Sequence, residues 1–319
     1  MIVTLTPNPS HDRTVSLGGP LTRGDVLRAV GSTRQAGGKG VNISRACLGA
    51  GVPTVAVLPV PSDDTFTPEL AAAGIVCHPV VHDGAARVNI AITEPDGTTT
   101  KINSAGPHLG ESVLASLSAA VVAAARGADW VVLAGSLPPG APEDWYATLV
   151  AALRGTGARV AVDTSDAPLR ALVDRLDVAA PDLMKPNAEE LASLTGADPD
   201  ALESDVAAAA AAAHVLVERG VGAVLATLGG RGAVLVDADG AWRAIPPPTT
   251  VVSTVGAGDS SLFGYLLGDL RGHGPAERLA SAVAHGSAAA GLPGSTVPGA
   301  DEVHPELVTV DPVSLAPAG

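Results

Sequence analysis

Gly256-Ala257-Gly258-Asp259 opens directly onto Leu262-Phe263-Gly264-Tyr265-Leu266-Leu267, an apolar run with the look of a helix. Small residues leave backbone N–H groups uncovered at the positive end of a helix, where they can hold the oxygens of a phosphoryl group in transfer. A carboxylate at Asp259 stands beside that anion and can take the proton from an attacking hydroxyl. The same residues also suit a plain helix cap. A second glycine turn, Gly37-Gly38-Lys39-Gly40-Val41-Asn42, brings a cation and an amide to another helix start, with the backbone free to approach a polar ligand. It lacks the spacing of a Walker A loop, and alone it also describes a turn with a solvated lysine. A third set, Lys185-Pro186-Asn187-Ala188-Glu189-Glu190, ends a strand and starts a helix. Asn187 and Glu190 fall on adjacent turns of one face, so both can reach a single hydrated Mg²⁺, an ion that keeps several of its waters. A capping box is the other reading of that pair.

These sets need a scaffold. Thr54–Leu58, Trp130–Leu133, Arg159–Val162 and Ala223–Ala226 are almost continuously apolar, as buried parallel strands are. Ala/Leu-rich stretches over Val41–Gly49, Val113–Ala125, Pro142–Leu153 and Asp200–Glu218 read as helices between them. The alternation predicts an α/β fold with a mostly parallel central sheet covered by helices on both faces, a three-layer Rossmann-like architecture. Two insertions, about 13–36 and 86–104, break the rhythm with strand-like pieces, and Pro95-Asp96-Gly97 marks a hairpin turn in the second. They predict a small β-sheet lid over the C-terminal strand ends, where open α/β sheets bind ligands. Residues 1–319 are thus expected to form a single α/β core domain carrying that lid. Beyond residue 295 the Pro-rich tail shows little periodicity outside Glu302–Val310.

Composition narrows the chemistry. Lys+Arg number 19 against 33 Asp+Glu, a net charge of −14, which gives no footprint for nucleic acid or a membrane surface. Any anionic ligand must therefore meet a local cluster of cations. Cys47 and Cys77 have no disulfide or zinc spacing, and the histidines His11, His78, His82, His108 and His285 have none for a metal. No strand is followed by G-x-G-x-x-G with an acidic residue about twenty positions on, which argues against a dinucleotide oxidoreductase. The N-terminus reads as a strand rather than a signal peptide, and no apolar run is long enough to span a bilayer, so a cytoplasmic location is expected.

Gly38-Lys39-Gly40-x-Asn42, Gly135-Ser136-Leu137-Pro138, Lys185-Pro186-Asn187-x-x-Glu190 and Gly256-Ala257-Gly258-Asp259 occur in the order seen in the PfkB/ribokinase-like carbohydrate kinases, and the resemblance covers essentially the whole chain. Within that group the chain is similar to the 1-phosphofructokinase and tagatose-6-phosphate kinase branch, through Thr4–Asp12 and through Ser253-Thr254-Val255 before Gly256. The resemblance implies a ribokinase-like fold and transfer from ATP, with Mg²⁺, to a ketohexose phosphate. It implies fructose 1-phosphate first, with tagatose 6-phosphate or fructose 6-phosphate as alternatives. Asp259 would be the base and Gly256, Ala257 and Gly258 the anion loop. Asp12, Gly38, Asn42, Arg87 and Ser136 would meet the sugar phosphate, to which Lys39 and Lys101, read from their charge, can add cations from loop and lid; Lys185, Asn187, Thr227, Gly229, Gly232 and His285 would meet the ATP. Mg²⁺ would be held by Asn187 and Glu190 through water, and two copies would pair through the lid. One lysine of the branch's lid motif is replaced by Ala91, while Lys101 stands where an acidic residue is common. The turn after Leu58 lacks the branch's glycines. A sensor that binds the same ligands without turning them over is the reading of another class, since fold alone does not establish chemistry.

Overall fold

The computed structural model describes residues 1–315. Its strands are β1 (Ile2–Leu5), β2 (Ser10–Leu17), β3 (Ala29–Gly37), β4 (Thr54–Pro61), β5 (Val76–His82), β6 (Arg87–Thr93), β7 (Thr99–Ile102), β8 (Trp130–Ala134), β9 (Arg159–Asp163), β10 (Leu183–Met184), β11 (Ala223–Thr227), β12 (Ala233–Asp237), β13 (Gly240–Ile245) and β14 (Thr309–Pro312). Ten of them form one sheet in the order β14-β13-β12-β11-β10-β9-β8-β1-β4-β5. From β5 to β11 the pairings are parallel, and β11 through β14 continue antiparallel at one edge.

Side-chain alternation builds the three layers. On β8, Val131 and Leu133 face one apolar cluster with the helices Glu111–Ala125 and Trp145–Leu153, while Trp130 and Val132 face another with the helices Lys39–Gly49 and Ala257–Leu270. Strands apolar on both faces are what a sheet sandwiched between helices requires. The functional loops therefore emerge at the C-terminal ends of a rigid sheet: Lys39, Asp163 and Lys185 all sit there.

The remaining four strands make a second sheet, β3-β2-β6-β7. β2 pairs antiparallel with β3 and parallel with β6, and β6 pairs antiparallel with β7 around the turn at Glu94–Thr98. Its strands reach further into the core than the insertions alone suggest, from Ser10 and up to Gly37. Two other elements differ from expectation. The stretch from Asp200 to Glu218 is not one helix: Asp205 ends Pro199–Ser204 and caps Val206–Glu218, accepting from the N–H groups of Ala207 and Ala208. A side chain that caps a new helix competes with continuing the old one. The tail, too, contributes a strand, because Arg243 pairs with Asp311 and β14 completes the antiparallel edge.

Candidate active site

Asp259 lies in the first turn of Ala257–Leu270, whose N-cap Gly256 has φ 78°, a left-handed conformation that glycine adopts without strain. The carboxylate is buried and accepts a hydrogen bond of 2.8 Å from Asn42 Nδ2. Burial, helped by the charge of Asp163, pushes its pKa up to about 6, against the opposing pull of Lys39, Asn42 and Lys185. A carboxylate so raised is a stronger base than an exposed one yet still ionised at neutral pH. Asn42 is itself held by Arg45, whose Nη1 lies 3.4 Å from Asn42 Oδ1.

A second buried carboxylate organises the cations. Asp163 ends β9 with its side chain fully buried, accepts 2.7 Å from Lys39 Nζ and lies 3.5 Å from Lys185 Nζ. Burial alone would raise its pKa, but Lys185 and Lys39 outweigh it and hold the carboxyl below its ordinary value. For Lys39 burial works the other way, and Asp163 and Asp259 together keep the ammonium charged well above its ordinary pKa. Lys185 stands against the anion loop, since a Cβ on Gly258 would come within 3.3 Å of its Nζ. Two ammonium groups and a helix N-terminus thus converge on one spot.

That spot separates two cavities. One, about 350 Å³, lies beneath the second sheet and is lined by Asp12, Gln35, Asn89 and Lys101 on one side and Ser253, Val255 and Ser295 on the other. The other, about 460 Å³, is lined by Asn187, Thr227, Gly229, Gly232, Ala257 and Gly258. Ser253 to Gly258 is the wall between them. An acceptor in the first and a donor in the second would meet across Gly256, beside Asp259.

In the first cavity Asp12 Oδ1 accepts from Ser10 Oγ at 2.6 Å and from Asn89 Nδ2 at 3.2 Å. Its other oxygen packs on Gly37, where a Cβ would stand 2.1 Å from Oδ2. Gly37→Ala must therefore displace a side chain on the floor of the acceptor cavity. We expect it to raise the KM for the ligand of this cavity roughly tenfold or more, with the KM for the ligand of the other cavity unchanged, as misplacement of a positioning group does. Equal shifts in both constants, measured by steady-state kinetics, would refute that reading of Asp12.

The other residues singled out from the sequence divide. Lys101 stands directly across the β6–β7 ladder from Ala91, and both line the acceptor cavity. Cross-strand partners share a face, so Lys101 presents its cation on the face where Ala91 stands. Arg87 reaches Ser104 O at 3.0 Å, and its buried Nε has no partner among the described residues. Ser136 approaches Asn8 Nδ2 at 3.5 Å, and Gly38, with φ 122°, packs on Thr6. Asn187 and Glu190 form a reciprocal capping box, Glu190 N donating to Asn187 Oδ1 at 2.7 Å and Asn187 N to Glu190 Oε2 at 2.9 Å. Glu190 Oε1 keeps no protein partner among the described residues, and burial raises the pKa of its carboxyl. His285 is a correction: its neighbour Gly286 lines the donor cavity, but the His285 ring faces elsewhere, against Phe263, with Nδ1 on Ser281 O at 2.8 Å. Gly264 and Gly286 let these two helices pack too closely for the ring to turn inward. Asp163 and Arg45 went unread in the sequence, although a carboxylate closing an apolar parallel strand is a signal in itself.

The sequence pattern of the pfkB family carbohydrate kinases matches residues 12–302. A 1-phosphofructokinase of Xanthomonas campestris pv. campestris is 39% identical over 289 residues, 88% of either chain. Another, of Rhodobacter capsulatus, is 37% identical over 323 residues, 99% of this chain and 98% of that one. The crystal structure of Escherichia coli phosphofructokinase-2 in complex with potassium aligns with a TM-score of 0.84 at 28% identity, covering 94% of this chain and 96% of that chain. A match that runs from the second sheet through the Ser253–Gly258 wall to residue 302 leads to one conclusion: the chain belongs to the pfkB family of carbohydrate kinases.

Proposed function

We propose that this kinase transfers the γ-phosphoryl group of ATP to the free primary hydroxyl of fructose 1-phosphate, giving fructose 1,6-bisphosphate and ADP. The observation that carries the reading is the pair of cavities divided by the Ser253–Gly258 wall, which Asp259 follows directly in the chain. The sugar oxygen forms its bond to phosphorus as the bond from phosphorus to the bridging oxygen of ADP breaks, and Asp259 takes the hydroxyl proton. Gly256 to Gly258 and the Lys39 and Lys185 ammonium groups hold the charge that spreads over the equatorial oxygens.

Mg²⁺ fits the donor side through Glu190, whose uncommitted Oε1 can hold a metal-bound water, with Asn187 beside it. When bound, the ion supplies neutralisation of the phosphate charge. Among the described residues no set of three His, Cys, Asp or Glu side chains is arranged to hold a metal directly.

The second sheet serves as the lid, closing over the acceptor so that water does not receive the phosphoryl group. Arg87 and Lys101 are the cations proposed for the sugar's own phosphate, and the unpartnered buried Nε of Arg87 supports the first. The second sheet carries exposed Val30, Val88 and Ile102, apolar surface that a second copy can cover, which supports a homodimer through the lid. A cytoplasmic location belongs to the same proposal, since the donor is ATP. No helix among the described residues is long and apolar enough to cross a membrane.

A panel of acceptors tests the assignment through ADP release. Fructose 1-phosphate should give the highest kcat/KM, ahead of tagatose 6-phosphate, fructose 6-phosphate and free fructose, because an unphosphorylated sugar leaves the lid cations unpaired. Arg87→Ala should weaken sugar-phosphate affinity by about 2 kcal/mol, and Lys101→Ala, a more exposed site, by about 1 kcal/mol, with ATP affinity unchanged. Free fructose turned over as well as the phosphate would end this assignment, and saturable binding without ADP release would make the chain a sensor.

A further inference from the structure

A third cavity, about 300 Å³, opens on the side of the Ala257–Leu270 helix turned away from the reaction. Ser260, Phe263, Leu267 and Arg271 line it from one stripe of that helix, His285 from the next, and Val297 from the tail segment that crosses it. Three of its polar groups lack a protein partner among the described residues: Ser260 Oγ, the Arg271 guanidinium and His285 Nε2. The His285 Nδ1 hydrogen is committed to Ser281 O. Nε2 is then a bare acceptor, and burial together with Arg271 lowers the ring's pKa and keeps it neutral. The Arg271 fork asks for an anion and His285 for a hydrogen-bond donor. Phe263, Leu267 and Val297 ask for an apolar body between them.

The ends of two helices set the charge of that anion. Ala50 ends Lys39–Gly49 and Arg271 ends Ala257–Leu270, so both helices present their negative poles here. Each pole carries about half an elementary charge, so the two together offset the Arg271 charge: the guanidinium fork can hold a carboxylate by direct bidentate contact, and a phosphate dianion is disfavoured. We propose that this cavity is a second ligand site, for a small organic monocarboxylate that also carries a hydroxyl or amino donor. The site is separate from both substrate cavities. It touches the reaction only through Ser260, the residue after Asp259, and through the tail that continues from Ser295 of the acceptor cavity.

The probe is 4-hydroxybenzoate, compared with benzoate, which lacks the donor, and 4-methylphenol, which lacks the carboxylate. Its ten non-hydrogen atoms suggest a dissociation constant of about 1 mM at roughly −0.4 kcal/mol per atom. We expect saturable binding in ligand-observed NMR that persists with saturating fructose 1-phosphate and a non-hydrolysable ATP analogue. Each comparison compound should bind about tenfold more weakly, the scale of one lost hydrogen-bonded group. Arg271→Ala should weaken 4-hydroxybenzoate about tenfold, and Gly49→Trp should abolish its binding, because a side chain at Gly49 meets only open space at the cavity wall. Both variants should keep the wild-type kcat and unfolding midpoint, which separates loss of the site from loss of fold. Absence of saturation, displacement by the substrates, or affinity indifferent to both substitutions would overturn the proposal.

Discussion

Asp259→Asn should lower kcat by about two to four orders of magnitude while leaving the KM for both substrates within a small factor, because a base is lost and a binding surface is not. The amide keeps the volume and can still accept from Asn42, so the geometry survives. The wild-type kcat/KM should carry an acid limb with its midpoint at about pH 6, since the carboxylate must be ionised to accept a proton and burial has raised it to about 6. In the variant that limb should vanish. Stability should move in the opposite direction. A carboxyl whose folded pKa exceeds its unfolded value favours the fold below about pH 4 and loses that contribution as pH rises through about 6. Removing the charge should therefore stabilise the protein by on the order of 2 kcal/mol at pH 8, as read from urea unfolding. Near-normal turnover in single-turnover assays would take Asp259 out of the mechanism.

Asp163→Asn should be among the most destabilising isosteric changes in the chain. It leaves two ammonium groups facing a neutral amide. Lys39 can relax, since its side chain is 36% exposed, but Lys185 is only 4% exposed and makes no other ion pair among the described residues. A buried pair broken from one side costs about 3–5 kcal/mol, and the partial escape of Lys39 sets the expectation near about 3 kcal/mol. Lys39 should also lose its hold beside the anion loop, so turnover falls at temperatures where the variant is fully folded. An unfolding free energy within about 1 kcal/mol of wild type would show that the lysines do not depend on this carboxylate.

What could be read from the residues depended on how locally each feature is encoded. The capping box at Asn187 and Glu190 closes within one turn, and the Pro95-Asp96-Gly97 hairpin within a few residues, so both were open to inspection. The apolar strands likewise announced a sheet covered on both faces. The break at Asp205 was hidden because residues on both sides of it form helix, the second run alanine-rich, and only the cap decides. Asp163 drew no notice because its meaning lies in Lys39, 124 residues away, and in Lys185. His285 misled for a related reason: its position beside Gly286 is local, but the side it faces is decided by how closely two helices approach. β14 was obscured by a proline-rich tail whose pairing with β13 is tertiary.

The place of β1 bears on how the chain is made. β1 pairs with β4 on one edge and with β8 on the other, with Ile2 opposite Trp130. When residues 1–61 have left the ribosome, one edge is already paired and the other is bare. Its partner follows only after five further elements, several seconds of synthesis at about 5–20 residues per second. During that interval Ile2–Leu5 offers a row of unsatisfied N–H and C=O groups, the usual template for pairing with a foreign strand. The closing of β8 against β1 is a long-range step with a high entropic cost, and it joins the acceptor side of the sheet to the donor side. Until it happens, the nascent chain can assemble the beginnings of a place for the sugar but no place for the nucleotide.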